Sequence, residues 1–325
     1  MSGDPLSDGV FEAIREAHAA IRPQVRVTLL EHSHVLSTDL GCEVHLKCEH
    51  LQETGSFKFR GATNRLRSLD EHQRAAGVTT ASTGNHGLGV ARAGQLAGVR
   101  VTVYLGNETK PERIEAIRAK GADIVMVEGS PGLAEAAARA AAEREGKVYV
   151  PPYNDLAVIA GQGTLGVEIY EQLSDVDAVF IVVGGGGLIS GVGTALKHLD
   201  PQIEVVGVWP ENSTCMLGAL EAGEIVDVIE RDTLSDSTAG AIELGSITFP
   251  ICQRVIDTRI IVTEAEIAAA MRRVAAADHW MIEGAAGVAL AGLVKEADRY
   301  RGKTVAVVLC GRNIALDTYL AAIGG

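Results

Sequence analysis

Lys58 lies in the stretch Thr54-Gly-Ser-Phe-Lys-Phe-Arg-Gly-Ala62, behind a Gly55-Ser56 turn that reads as a helix start and between Phe57 and Phe59. A lysine held by aromatic residues beside a tight turn is poorly hydrated. Poor hydration disfavours the ammonium and lowers its pKa, which makes the amine usable as a base or as a Schiff-base nucleophile. The ordinary alternative is a solvated lysine at the start of a helix. The choice between them depends on what the chain places nearby.

Two glycine-containing loops bear on that choice. Gly184-Gly-Gly-Gly187 follows the apolar run Ala178-Val-Phe-Ile-Val-Val and precedes a helical pattern from Leu188. Backbone N–H groups of such a run can face inward, and the helix start adds partial positive charge, so the loop suits a phosphate. A dinucleotide turn is the competing reading. Gly-x-Gly-x-x-Gly fails in both registers, because the third glycine would fall on Ile189 or Ser190, although Glu211 sits roughly where a ribose-binding acid would. Ser82-Thr-Gly-Asn-His-Gly87 also ends a strand and opens a helix. Its N–H groups and hydroxyls can meet a carboxylate, or Ser82 or Thr83 can simply cap the helix.

The elements that must carry these loops alternate in type. Strands are predicted at 78–82, 99–105, 122–127 and 148–150, with helices over 88–97, 111–120 and 132–145 between them. After Pro151-Pro152-Tyr153 the pattern resumes with a helix at 157–173 and strands at 178–183, 204–209 and 304–309. Strand alternating with helix gives an α/β protein with mainly parallel sheets flanked by helices. Val10, Ile14, His18 and Ile21 recur at helical spacing, and Val44, Leu46 and Cys48 alternate as a strand with His45 on its other face. The strand at 43–48 is expected to share a sheet with the second unit. His32 and His34 have no third ligand nearby and read as a surface loop.

At 325 residues the chain is long enough for two domains, and 47% hydrophobic residues can fill a sizeable core. Its net charge of −13 argues against non-specific nucleic-acid binding and against anionic membranes. Five scattered cysteines without Cys-x-x-Cys, a polar start and no long apolar run predict a reduced, cytoplasmic protein with no membrane span.

Taken together, the Lys58 stretch with the preceding Leu46-Lys-Cys-Glu-His-Leu-Gln-Glu, the Ser82 and tetraglycine loops, Ala160-Gly-Gln-Gly-Thr and Cys310-Gly-Arg-Asn resemble the threonine/serine dehydratase branch of the fold-type-II pyridoxal-phosphate (PLP) enzymes. The resemblance runs from about Val35 to Asp317. It implies a tryptophan-synthase-β-like fold with a large PLP-binding domain of residues 1–68 and 154–325 and a small mobile domain of residues 69–153. Lys58 would hold PLP as a Schiff base and act as catalytic base. Phe57, Asn85, Gly184, Gly185, Gly186, Gly187, Leu188, Glu283 and Cys310 would contact the cofactor. Ser82, Thr83, Gly84, Asn85 and His86 would bind the substrate carboxylate, with Thr83 also counted as catalytic. Homodimers are common in the group.

Departures from the usual pattern shape the remaining expectations. Thr83 stands where serine racemases have a second serine, so dehydration is preferred to racemisation, with a serine or aspartate racemase as the alternative and a nucleotide-dependent oxidoreductase as a remote one. Trp209, before Pro210, and Cys215 occupy positions where some relatives carry acidic ligands for a divalent cation, and no metal is expected. Arg312 replaces a glycine. It is expected either to pair with Glu283 or to bind a second substrate carboxylate, and Asp236 in Ser235-Asp-Ser-Thr-Ala-Gly is expected to line the side-chain pocket. Some relatives with such an arginine belong to branches that break down hydroxyaspartate or hydroxyectoine. The reaction implied is β-elimination from a small β-hydroxy amino acid of the threonine, serine or 3-hydroxyaspartate type.

Overall fold

The computed structural model describes residues 5–324; the polar start at residues 1–4 lies outside them. Among the described residues the strands are β1 (Leu30–His32), β2 (Glu43–Lys47), β3 (Val78–Ala81), β4 (Val101–Gly106), β5 (Asp123–Val127), β6 (Val148–Tyr149), β7 (Ala178–Val182), β8 (Glu204–Pro210), β9 (Thr258–Val262) and β10 (Thr304–Val308). They form two sheets, a six-stranded one in the order β1-β2-β10-β7-β8-β9 and a four-stranded one in the order β5-β4-β3-β6. Every pairing is parallel except β1 with β2. The strand at β2 therefore does join the sheet of the second unit. β7, β8 and β10 are apolar almost throughout because helices cover both faces, as parallel sheets require.

The expectation of a surface loop at His32 and His34 is corrected. His32 ends β1, opposite His45 of β2, and His34 begins the helix His34–Leu40. A three-residue strand is too short to leave a periodic signal. The rings of His34 and His45 lie 4.3 and 4.9 Å from that of His32.

What fixes the position of Lys58 is a set of buried charges. The helix Lys58–Arg67 begins at Lys58 itself. Two residues on, the fully buried Arg60 donates to both oxygens of Glu49, at 2.8 Å each, and to both oxygens of Glu168, at 2.7 and 2.8 Å. Lys47, on the face of β2 opposite Val44 and Leu46, donates to Glu168 Oε2, Thr28 O and Gln172 Oε1 at 2.8–2.9 Å. Two cations and two anions thus balance inside the protein. Burial acts to raise the Glu168 carboxyl, but Arg60 and Lys47 overcome it and hold its pKa below the usual range. The network ties β2 and the Glu49–Leu51 turn to the helices Lys58–Arg67 and Leu156–Gln172. Those helices cross closely. A Cβ added at Gly161 would come within 2.6 Å of Arg60 O, so the Ala160-Gly-Gln-Gly-Thr motif serves packing.

Removing one partner of this network leaves an uncompensated buried charge. Arg60→Met should lower the stability to urea by about 3–5 kcal/mol, measured by equilibrium denaturation. A change below about 1 kcal/mol, the range of exposed ion pairs, would contradict the network's role.

Candidate active site

Lys58 projects from the first turn of its helix toward the seam between the two sheets. Its Nζ donates to Pro152 O at 2.8 Å and lies 5.2 Å from the centre of the Phe57 ring. Phe59 points the other way, into the core around Val90 and Val103. One aromatic side chain therefore shelters the amine, where the sequence suggested two. Burial pushes the Lys58 pKa down to about 8, with Cys310 and Glu283 acting in the opposite sense. Near neutral pH an appreciable fraction of the amine is consequently unprotonated.

The amine opens onto a cavity of about 420 Å³ lined by Phe57, Tyr153, Gly184 to Leu188 and Cys310. The helix Gly187–Leu199 starts at this wall, and its N-cap, Gly186, contributes no side chain to the free N–H groups. The partial positive charge of the helix end therefore faces the cavity. Gly186 has φ +84°, and a Cβ there would meet Cys252 Sγ at 2.8 Å and Met216 Cε at 2.9 Å. The Tyr153 ring lies against Gly185, within 2.5 Å of where a Cβ would be. The glycines are needed because the loop is pressed between these side chains. Cys310 is buried at the far side. Desolvation, reinforced by Glu283, raises its pKa well above the usual thiol value and keeps it protonated.

A second cavity, of about 510 Å³, also contains Lys58 and is lined by Ser82, Thr83, Gly84, Asn85 and His86. Here the helix Asn85–Ala97 begins, with Gly84 at its N-cap and no side chain capping it. Neither Ser82 nor Thr83 caps the helix. Ser82 Oγ instead accepts from Gly84 N at 3.3 Å. Asn85 donates to both oxygens of buried Glu283, at 2.8 and 3.0 Å, and its Oδ1 accepts from Asn313 Nδ2 at 2.6 Å. Glu283 also accepts from Ser237 Oγ and Asn313 N. Burial raises the Glu283 pKa against these hydrogen bonds. His86 Nε2 donates to Val150 O at 2.9 Å, which places the ring proton on Nε2. Burial first, and the nearby Lys58 second, push the His86 pKa down to about 3, so the ring is neutral.

The structure thus gathers Phe57, Lys58, Ser82 to His86, Gly184 to Leu188, Asp236, Glu283 and Cys310 around two adjoining cavities. Arg312 is a correction. It is exposed, makes no ion pair among the described residues, and lies over Gly55, lining a separate surface depression with Lys120. It does not pair with Glu283, whose carboxylate is already taken by Asn85, Ser237 and Asn313, and it does not reach the substrate cavity. The backbone explains this: Arg312 N bonds Gly55 O, and the isolated bridge of Ser56 with Gly311 turns the side chain outward. Sequence reasoning missed Arg113, Asn313, Tyr153 and Ser237. Asn313 was within reach, since it ends the Cys310 motif. Arg113 sits in an ordinary charged helix, Pro111–Arg118, and nothing in its neighbours marks it.

Comparison with known proteins decides the family. The model of the family described as "Pyridoxal-phosphate dependent enzyme" matches residues 21–311. The chain belongs to this family. It is 41% identical over 307 residues to an L-threonine ammonia-lyase of Thermotoga maritima, covering 94% of this chain and 76% of that protein. It is 34% identical over 293 residues to an L-threo-3-hydroxyaspartate ammonia-lyase of a Pseudomonas species, covering 91% and 92%. The processed form of threonine deaminase isoform 2 from Solanum lycopersicum superposes with a TM-score of 0.94 at 35% identity, covering 99% of this chain and 94% of that one.

The residues of this PLP enzyme fit its cofactor. The uncapped helix end suits an anion, the half-buried amine of lowered pKa suits an aldehyde, and the protonated thiol suits a neutral ring nitrogen. Gly186→Ala should strain the left-handed turn and crowd Cys252, and the purified variant should retain much less cofactor, read from its phosphate and visible absorbance. Retention equal to the parent would contradict the cradle. The lowered Lys58 pKa gives a second expectation. The rate at which apoprotein captures PLP should rise with pH and level off above about 8, where the amine is already free; a rate still climbing toward pH 10 would mark a solvated lysine.

Proposed function

We propose that this protein is a dehydratase that eliminates the β-hydroxyl and amino groups of a small β-hydroxy amino acid, giving a 2-oxo acid and ammonia. The observation that carries the reading is that one half-buried amine, Lys58, opens onto both an uncapped helix end suited to phosphate and a second uncapped helix end suited to a carboxylate. Identity to L-threonine ammonia-lyase supports it.

Bound PLP supplies an electron sink at the amino nitrogen of the substrate. The chain supplies the rest. Gly184 to Gly187 and Leu188 would hold the phosphate through N–H groups. Phe57 would wall the ring, and Asn85, fixed by Glu283 and Asn313, would offer its amide to the cofactor. Ser82, Thr83 and the start of the Asn85–Ala97 helix take the substrate carboxylate, which directs Cα toward Lys58. The Lys58 amine, an appreciable fraction of it unprotonated near neutral pH, would remove the α proton. Cys310 is a neutral thiol and provides no counter-charge for a protonated ring nitrogen. Such a sink would be weak, which would favour loss of the β-hydroxyl: the α C–H pair would form the Cα–Cβ double bond, and the hydroxyl would depart as water with the proton that Lys58 took from Cα. Thr83 carries a hydroxyl on a stiff, branched side chain, less adaptable than serine for returning a proton to Cα, which supports elimination over racemisation.

Residues 69–153, with the four-stranded sheet, act in this reading as a small mobile domain over residues 1–68 and 154–325. Free cysteines fit a reducing cytoplasm, and a homodimer is the assembly proposed. No helix among the described residues is long and apolar enough to cross a membrane.

Lys58→Ala should abolish both the visible absorbance of lysine-bound cofactor and the release of oxo acid from serine, threonine and 3-hydroxyaspartate. Oxo-acid release at the parental rate in that variant would end the proposal.

A further inference from the structure

The cavity that contains the Ser82–His86 loop has a cation at its mouth that the proposed chemistry does not use. Arg113 projects from the helix Pro111–Arg118, on the side of the four-stranded sheet, and lines the same cavity as Lys58, Thr83 and Asp236. Its Nη1 lies 3.4 Å from Thr83 Oγ1 and its Nη2 lies 3.2 Å from Asp236 Oδ2. The other cations near the two cavities are committed or remote. Lys58 serves the cofactor, Arg139 is held by both Glu135 and Glu243, and Arg312 is turned away.

We infer that Arg113 recognises a second carboxylate on the substrate side chain, so that the preferred substrate is a dicarboxylic β-hydroxy amino acid. The inference rests on the dehydratase reading above and gives its substrate class. Three observations support it. First, the guanidinium lies next to Thr83 of the loop proposed to take the α-carboxylate and lines the same cavity as Lys58, so it is within the space a substrate side chain would enter. Second, the chain already places a carboxylate on Arg113, that of Asp236, showing that the geometry accepts one. Third, that carboxylate is easily displaced: the Asp236 side chain is 63% exposed and the Arg113 side chain 35%. An exposed pair of this kind contributes little and exchanges readily, whereas a guanidinium and a substrate carboxylate enclosed together form a directional, charge-assisted contact. A methyl group in the same place, as on threonine, offers Arg113 nothing and leaves the Asp236 pair intact.

The test uses purified holoenzyme and compares kcat/KM, from oxo-acid release, for the 3-hydroxyaspartate diastereomers, threonine and serine. The parent should favour one hydroxyaspartate diastereomer. Arg113→Met should lower the hydroxyaspartate-to-threonine ratio about tenfold or more, the loss expected for a hydrogen bond to a charged group, and Arg113→Lys should restore part of it. Asp236→Asn removes the competing anion and should tighten binding of succinate, a dicarboxylate lacking the amino and hydroxyl groups, measured by calorimetry; Arg113→Met should weaken it. A ratio unchanged in Arg113→Met, or succinate binding that ignores both substitutions, overturns the inference while leaving the dehydratase reading intact. Absence of oxo acid from every substrate overturns the dehydratase reading, and the succinate titrations still decide whether Arg113 binds a second carboxylate.

Discussion

The structure depends on keeping one amine dry. A lysine at the start of an exposed helix would hold its proton to the ordinary value and would be useless as a base near neutrality. Here Lys58 is placed at the seam between two sheets, against Phe57 and the Pro152 carbonyl. Desolvation is the largest cause of its lowered pKa. That desolvation requires the helix carrying Lys58 to be immobile, since a shift of one turn would return the amine to water. The Arg60, Glu49, Glu168 and Lys47 network supplies this immobility two residues away. Buried charges are a poor source of net stability but are costly to separate, and the helix is thereby confined to one register.

Around that amine the electrostatics come from the backbone. Two helices, starting at Asn85 and Gly187, present uncapped N-termini to adjoining cavities. A serine or aspartate cap would satisfy the N–H groups internally and cancel the attraction for an anion. Glycine at both N-caps leaves them open. The side chains then adjust the chemistry: Glu283 orients Asn85, His86 stays neutral against Val150 O, and Cys310 stays protonated. Neutral groups next to the amine matter because a histidinium there would repel any proton that Lys58 has to accept.

Much of this was legible in the chain. The apolar runs marked the parallel strands to within one or two residues, except β9 (Thr258–Val262), which was missed and in which buried and exposed positions mix. Lys58 and the glycine loops stood out because each breaks local propensity for a reason that lies in a ligand. Contacts made by ordinary residues across long sequence separations were not legible. Lys47 alternates correctly as an outward position of β2 and is nevertheless fully buried, because Glu168, 121 residues away, meets it. Arg312 adjoins Cys310 in sequence and so reads as a site residue, yet its side chain lies over Gly55, beside the bridge of Ser56 with Gly311. Adjacency along a strand end says little about which way a side chain leaves it.

The charged groups also differ in strength according to where they lie. At the base of the site, Arg60 makes contacts with two carboxylates and is fully enclosed. At the mouth, Arg113 and Arg139 each reach from the four-stranded side to one carboxylate of the 235–247 loop, Asp236 and Glu243, and all four groups are partly exposed. Exposed pairs are screened and weak. The two sides can therefore be held together without being locked. If the mouth carried the pairing of the base, substrate entry would require breaking a buried network, at a cost comparable to a large fraction of the stability of a typical domain. If the base carried the pairing of the mouth, the amine would not stay dry. In the proposed mechanism, catalysis at Lys58 needs a rigid floor and exchange of substrate a loose rim, and the distribution of burial between the two sets of ion pairs fits both.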